Sequence, residues 1–85
     1  MVKIVRFGVS LVNDNVNTLE YVVESLQEVM NWDVTQAGNC ANIVHMRGDY
    51  VLTWYDSEKA ALATATMLQM KGLKVKLIID KSGTI

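Results

Sequence analysis

The chain has 85 residues, 51% hydrophobic and 20% charged, a globular rather than a disordered composition with interior enough for one domain and not two. Eight Lys and Arg against nine Asp and Glu leave a formal charge of -1, too weak a field to hold a polyanion, so nucleic acid is not the expected partner. Cys40 alone cannot form an intrachain disulfide, and no run reaches the roughly 18 apolar residues of a membrane span, which points to a reducing cytoplasm or organelle interior and no membrane partner.

Met1 to Phe7 carry Lys3 and Arg6 in an alternating pattern without a small-residue cleavage site, and read as mature structure rather than a leader. The β-branched residues Val2, Ile4, Val5, Val9 and Val12 predict a strand from Lys3 to Val12, bulged at Gly8, with a turn over Asn13 to Asn17. Asn17 followed by Glu20 predicts an N-cap and capping box, with Val16 and Tyr21 as the hydrophobic staple around it. Leu19, Val22, Val23, Leu26, Val29 and Met30 then recur at helical spacing as a stripe facing a core. Glu20, Glu24 and Glu28 fall on another face, which reads as solvated.

Asp33, with Gln36 three residues on, caps a second helix that closes near Gly48, with His45 and Arg47 in its last turn. Its inner face is Val34, Ala37, Ala41 and Val44. Asp49 to Tyr55 is rich in aromatic and β-branched residues and predicts a strand. Asp56 or Ser57 caps a third helix that ends at Gly72, Leu73 to Ile79 forms the last strand, and Asp80 to Ile85 is expected to fray. The order β-α-α-β-α-β gives an α/β (α+β) domain over residues 1–85, folded from about 3 to 80, with a three-stranded sheet covered by helices on one face. The relative direction of the second and third strands stays open.

No catalytic constellation emerges. A nucleophile needs a base, His45 is the one histidine, and Cys40 stands five residues before it on the same helix, pointing elsewhere. One His and one Cys do not make a zinc site, glycine-rich phosphate loops are absent, and no cofactor is expected. Cys40 reads as a small buried hydrophobe. What stands out is Asn13-Asp14-Asn15 at the strand-to-helix turn and His45 at a helix end. Both have ordinary readings, since Asn and Asp form turns and a helix C-terminus favours histidine.

The segment L-V-N-D-N-V-N-T-L-E-Y-V (Leu11 to Val22), the W-D-V at Trp32 to Val34 and the I-V-H-M-R-G at Ile43 to Gly48 resemble the ClpS family, whose members read close to V-N-D-D-x-T-P-M-E-F-V and later V-H-x-x-G. The resemblance runs without a gap from about Val9 to Gly48 and continues more loosely to the last strand. It implies an adaptor, not an enzyme. Such an adaptor grips the free α-amino group of an N-degron substrate, buries its bulky hydrophobic first side chain, and delivers it to the N-domain of a ClpA- or ClpC-type AAA+ unfoldase, in cytoplasm or a compartment such as the plastid stroma. Carried over by position, Asn13, Asp14 and His45 match the amine-binding residues, and Leu19, Val22 and Val44 the pocket wall. Asn15, Asn17 and Leu73 are secondary candidates, and Glu58 matches an acidic residue shown to the unfoldase. An ammonium offers three donors, which the Asn13 amide oxygen, the Asp14 carboxylate and an imidazole nitrogen of His45 can accept.

The chain departs from the family pattern at four positions. The second aspartate is Asn15, the threonine Asn17, the proline Thr18, and the long residue at the pocket, usually methionine, is Ala41. Loss of a carboxylate lowers the negative charge near the amine, and Ala41 is expected to enlarge the slot and relax side-chain preference. The family usually has a flexible N-terminal extension. Here the strand begins almost at Met1, so weakened delivery is the expectation for this sequence. Two other readings share the architecture: a ClpS-like binder or inhibitor of the unfoldase that delivers nothing, and a ribosomal-stalk-like interaction domain without an amine site.

Overall fold

The computed structural model describes residues 3–84. Met1, Val2 and Ile85 lie outside them, and with them the readings of Val2 as a strand residue and Ile85 as frayed. The elements are β1 (Lys3–Val12), α1 (Leu19–Met30), α2 (Val34–Arg47), β2 (Asp49–Tyr55), α3 (Glu58–Met70) and β3 (Lys74–Thr84), in the predicted order.

β1 is the central strand of a sheet ordered β2-β1-β3, and it runs antiparallel to both neighbours. β2 and β3 are therefore parallel to each other with β1 between them, which settles the direction the sequence left open. β1 can occupy the centre because its middle is uncharged and well furnished for both faces: Val9 and Leu11 are buried in the core, and Gly8 and Ser10 are buried on the other face. Against Val9 and Leu11 pack Leu26 of α1, Ala37, Cys40, Ala41 and Val44 of α2, Leu52 of β2, Ala61, Ala65 and Leu68 of α3, and Leu73. The run of alanines lets α3 sit close to the sheet. Full burial of Leu26 and Leu68 contributes about 1.5 to 3 kcal/mol each.

Three details differ from expectation. The N-cap of α1 is Thr18, whose hydroxyl accepts from the Tyr21 N–H at 3.1 Å, not Asn17, which is drawn away by other bonds. Val34 is 63% exposed, because the first turn of α2 projects beyond the core that Ala37, Ala41 and Val44 reach. Glu28, by contrast, lies on the solvated face as expected and pairs there with Lys71 at 2.6 Å. The segment from Asp80 stays in the ladder to Thr84, pairing with Lys3, Ile4 and Arg6. Asp80 is the reason: its carboxylate accepts from the Ser82 hydroxyl and N–H and from Arg6 at 2.8 Å, which holds it well below the ordinary carboxylate range.

Gly8 is not bulged either. The irregularities fall between Val9 and Ser10 against β2, and between Ile4 and Arg6 against β3. Gly8 sits directly opposite Trp54, and a Cβ there would come within 2.8 Å of the indole Cζ3. The ring lies over the bare backbone, with the Arg6 guanidinium 4.7 Å from its centroid. Gly8→Ala is therefore expected to lower stability by about 1 kcal/mol, the low end of overpacking costs, because the partly exposed indole can swing outward. Urea unfolding read by tryptophan emission checks this; unchanged stability and emission contradict it.

Candidate functional site

The turn between β1 and α1 is organised by Asp14. Its Oδ1 accepts from the N–H groups of Val16 and Asn17, each at 2.9 Å, and its Oδ2 accepts from Asn17 Nδ2 at 3.0 Å. The Asn17 N–H bond, then the Asn17 amide and the Val16 N–H, with Lys74 nearby, hold the carboxyl below its ordinary range. Because the folded-state value is depressed, these bonds stabilise the turn fully above the ordinary carboxylate value of about 3.9. They are lost as pH falls through the lowered one. Of the carboxylate's roughly four acceptor positions three are committed, leaving a lone pair on Oδ2.

A second tie sets where the turn lies. The Asn13 N–H donates to the Gly48 carbonyl at 2.8 Å, extending the β1-β2 ladder by one bond past the Val12 and Asp49 pair. Gly48 adopts φ 99°, the left-handed side that lets α2 stop and β2 begin at once. One bond thus brings the residue after β1 beside the end of α2 that bears His45.

Between them lies a groove of about 310 Å³. Asn13, Asp14 and His45 border it, as do Leu19, Val22, Ala41 and Val44, and so do Asn15, Asn17 and Leu73. Ala41 and Val44 are almost fully buried at its floor, while Asn13 and His45 are exposed. Leu19, counted in the inward stripe of α1, is 46% exposed because it opens onto the groove rather than the core. Glu58 is the first residue of α3, exposed and outside the groove lining. The sequence reading missed Leu11 and Val12, which also border the groove; their position just before the Asn13-Asp14-Asn15 turn was the available signal.

A groove bordered both by apolar side chains and by oxygen and nitrogen acceptors suits a ligand with a cationic head and a hydrophobic side chain. Residues 4–76 match the family described as ATP-dependent Clp protease adaptor protein ClpS. The chain belongs to the ClpS family. Among solved structures, Agrobacterium tumefaciens ClpS2 bound to L-phenylalaninamide is similar at a TM-score of 0.83 and 18% identity, over 88% of this chain and 96% of that one. At that identity the likeness establishes a shared ClpS fold. Among curated proteins none matches the chain.

ClpS proteins are adaptors of the Clp protease. Burial pushes the Cys40 thiol up to about 11, so it stays protonated at neutral pH. Cys40 borders a second cavity of about 360 Å³ between α2 and β2, with Trp32 and Tyr50, which holds none of the expected site residues. Among the described residues no group of three or more His, Cys, Asp or Glu could hold a metal ion, and no helix is long and apolar enough to cross a membrane.

Proposed function

We propose that this ClpS protein binds the free α-amino group and the bulky hydrophobic first side chain of N-degron substrates in the groove between the β1-α1 turn and α2, and delivers them to a Clp AAA+ unfoldase. The observation that supports it most is the convergence of Asn13, Asp14 and His45 with the apolar residues Leu19, Val22, Ala41, Val44 and Leu73 around one 310 Å³ groove. The amine-bearing ligand in the similar ClpS2 structure favours the same reading.

The electrostatics are consistent with it. An ammonium beside the start of α1 meets the positive end of that helix's dipole, a penalty of roughly 0.3 to 1 kcal/mol. The ionised Asp14 offsets this, since a charge-assisted hydrogen bond contributes about 1.5 to 3 kcal/mol. Burial of a Leu or Phe side chain in the slot adds roughly 1.5 to 3 kcal/mol. Asn13 and His45 would take the remaining ammonium protons. The exposed Glu58 at the head of α3 is the proposed contact for the unfoldase N-domain.

Chemical-shift mapping with L-phenylalaninamide tests the location. Shifts are expected at Asn13, Asn15, Val22, Val44, His45 and Leu73. Shifts confined to the second cavity, around Trp32, Asn39 and Tyr50, would place the ligand elsewhere and overturn the assignment.

A further inference from the structure

Asn17 lies at the groove without facing outward as a simple turn residue. Its Nδ2 donates to Asp14 Oδ2 at 3.0 Å and to the Gly72 carbonyl at 3.0 Å. Both neighbours are acceptors, so the amide nitrogen is the atom that must face them, and its two hydrogens serve one each. Gly72 belongs to the turn between α3 and β3, where it adopts φ 84° and its N–H bonds the Gln69 carbonyl. The next residue, Leu73, is buried and borders the groove. Asn17 therefore joins the anionic end of the groove to the segment that supplies part of its apolar wall, two parts of the chain 55 residues apart.

We infer that Asn17 is a positioning residue: its amide clips the Asp14 carboxylate to the α3-β3 turn, so that the polar acceptors and the Leu73 wall are held in fixed register before a ligand arrives. A threonine, the family's residue here, offers one hydroxyl hydrogen and can make one of these two bonds but not both. Pre-organisation of this kind raises affinity by removing the cost of ordering the groove on binding. The clip is separable from the fold, because the Tyr21 hydroxyl independently donates to the Lys71 carbonyl and holds α1 against the same turn. The inference rests on the proposed amine-binding reading of the groove.

The test compares wild type, Asn17→Ala and Asn17→Thr by two readouts. The first is fluorescence anisotropy with labelled peptides beginning Phe or Ala. The second is the titration of the Asp14 carboxyl carbon by NMR, with His45 of α2 and Lys74 of β3, the charged or titratable groups near it, unchanged in all three proteins. Asn17→Ala is expected to bind the Phe peptide about tenfold more weakly, the loss of one hydrogen bond to a charged group. The preference for Phe over Ala should shrink, and the Asp14 titration should move up toward the ordinary range. Asn17→Thr should fall between. Unchanged titration together with affinities within about twofold of wild type overturns the clip. If wild-type protein fails to bind the Phe peptide, the amine reading falls, and an unmoved Asp14 titration then overturns the clip on its own.

Discussion

Asp14→Asn is expected to weaken binding of a peptide with a free N-terminal Phe by about 10- to 150-fold, the range a lost charge-assisted hydrogen bond gives, while the protein stays folded. The substitution is chosen because Asp14 has two duties. Its Oδ1 closes the turn through the Val16 and Asn17 N–H groups, and an asparagine oxygen keeps both bonds. Its Oδ2 accepts from Asn17 Nδ2 and has the spare lone pair; an asparagine nitrogen there offers hydrogens instead and carries no charge. Asp14→Ala removes both duties at once and so mixes loss of the ammonium acceptor with loss of the turn. Anisotropy for affinity and thermal unfolding for the fold separate the two. Binding of Asp14→Asn within about twofold of wild type shows that the carboxylate serves the turn alone.

Ala41→Met is expected to change which first residues bind. Ala41 lies on α2 at the floor of the groove, one turn from Val44 and His45, and is 2% exposed. Methionine adds three heavy atoms that must enter the groove or press on the core. The wild-type slot is expected to admit Phe, Leu, Tyr, Trp, Ile and Val. In the variant the β-branched Ile and Val and the large Trp should lose about tenfold relative to Leu, within the range that a methylene or two sets in an apolar pocket. Overpacking costs about 1 to 3 kcal/mol, so unfolding is measured beside binding. A variant that stays folded with an unaltered order of preference contradicts the role given to Ala41.

Much of this arrangement was legible in the chain because its local signals agree with its tertiary ones. Asp33 and Ser57 cap where their side chains find the N–H of Gln36 and Ala60, and Gly48 and Gly72 stop helices where φ is positive. The α1 boundary failed for the same physical reason that makes its first turn interesting. Asn17 has cap chemistry, but its amide is used by Asp14 and Gly72, partners that a nearest-neighbour reading does not see, and the cap passes to Thr18. Lys81, Ser82 and Gly83 have turn composition, which predicts an end to the last strand before them. Pairing to Lys3 and Ile4 and the Arg6 to Asp80 ion pair override that composition, and both are contacts across more than 70 residues. A glycine inside a strand has two uses, a bulge or a close approach, and at Gly8 it is the approach of Trp54, which local sequence does not show.

The candidate groove divides in the same way. Asn13, Asp14 and His45 stand out in the chain as a polar strand-to-helix turn and a histidine at a helix end, but each has an ordinary structural use, and only the resemblance implies a role in amine binding. The bond from the Asn13 N–H to the Gly48 carbonyl shows how turn and helix end meet, and no spacing in the sequence reports it. Leu73 joins the wall because the α3-β3 turn folds back to Asn17 and Tyr21, a contact set by the fold as a whole.

The central claim is recognition of a free amine, and one pair of titrations bears on it most directly: a labelled peptide beginning with Phe, and the same peptide acetylated at its N-terminus. Acetylation removes the charge and two of the three donors while leaving the side chain intact. The free peptide is expected to bind saturably and the acetylated one at least about tenfold more weakly, the loss of one charge-assisted bond or more. Equal binding of the two peptides, or binding of neither, would contradict the account.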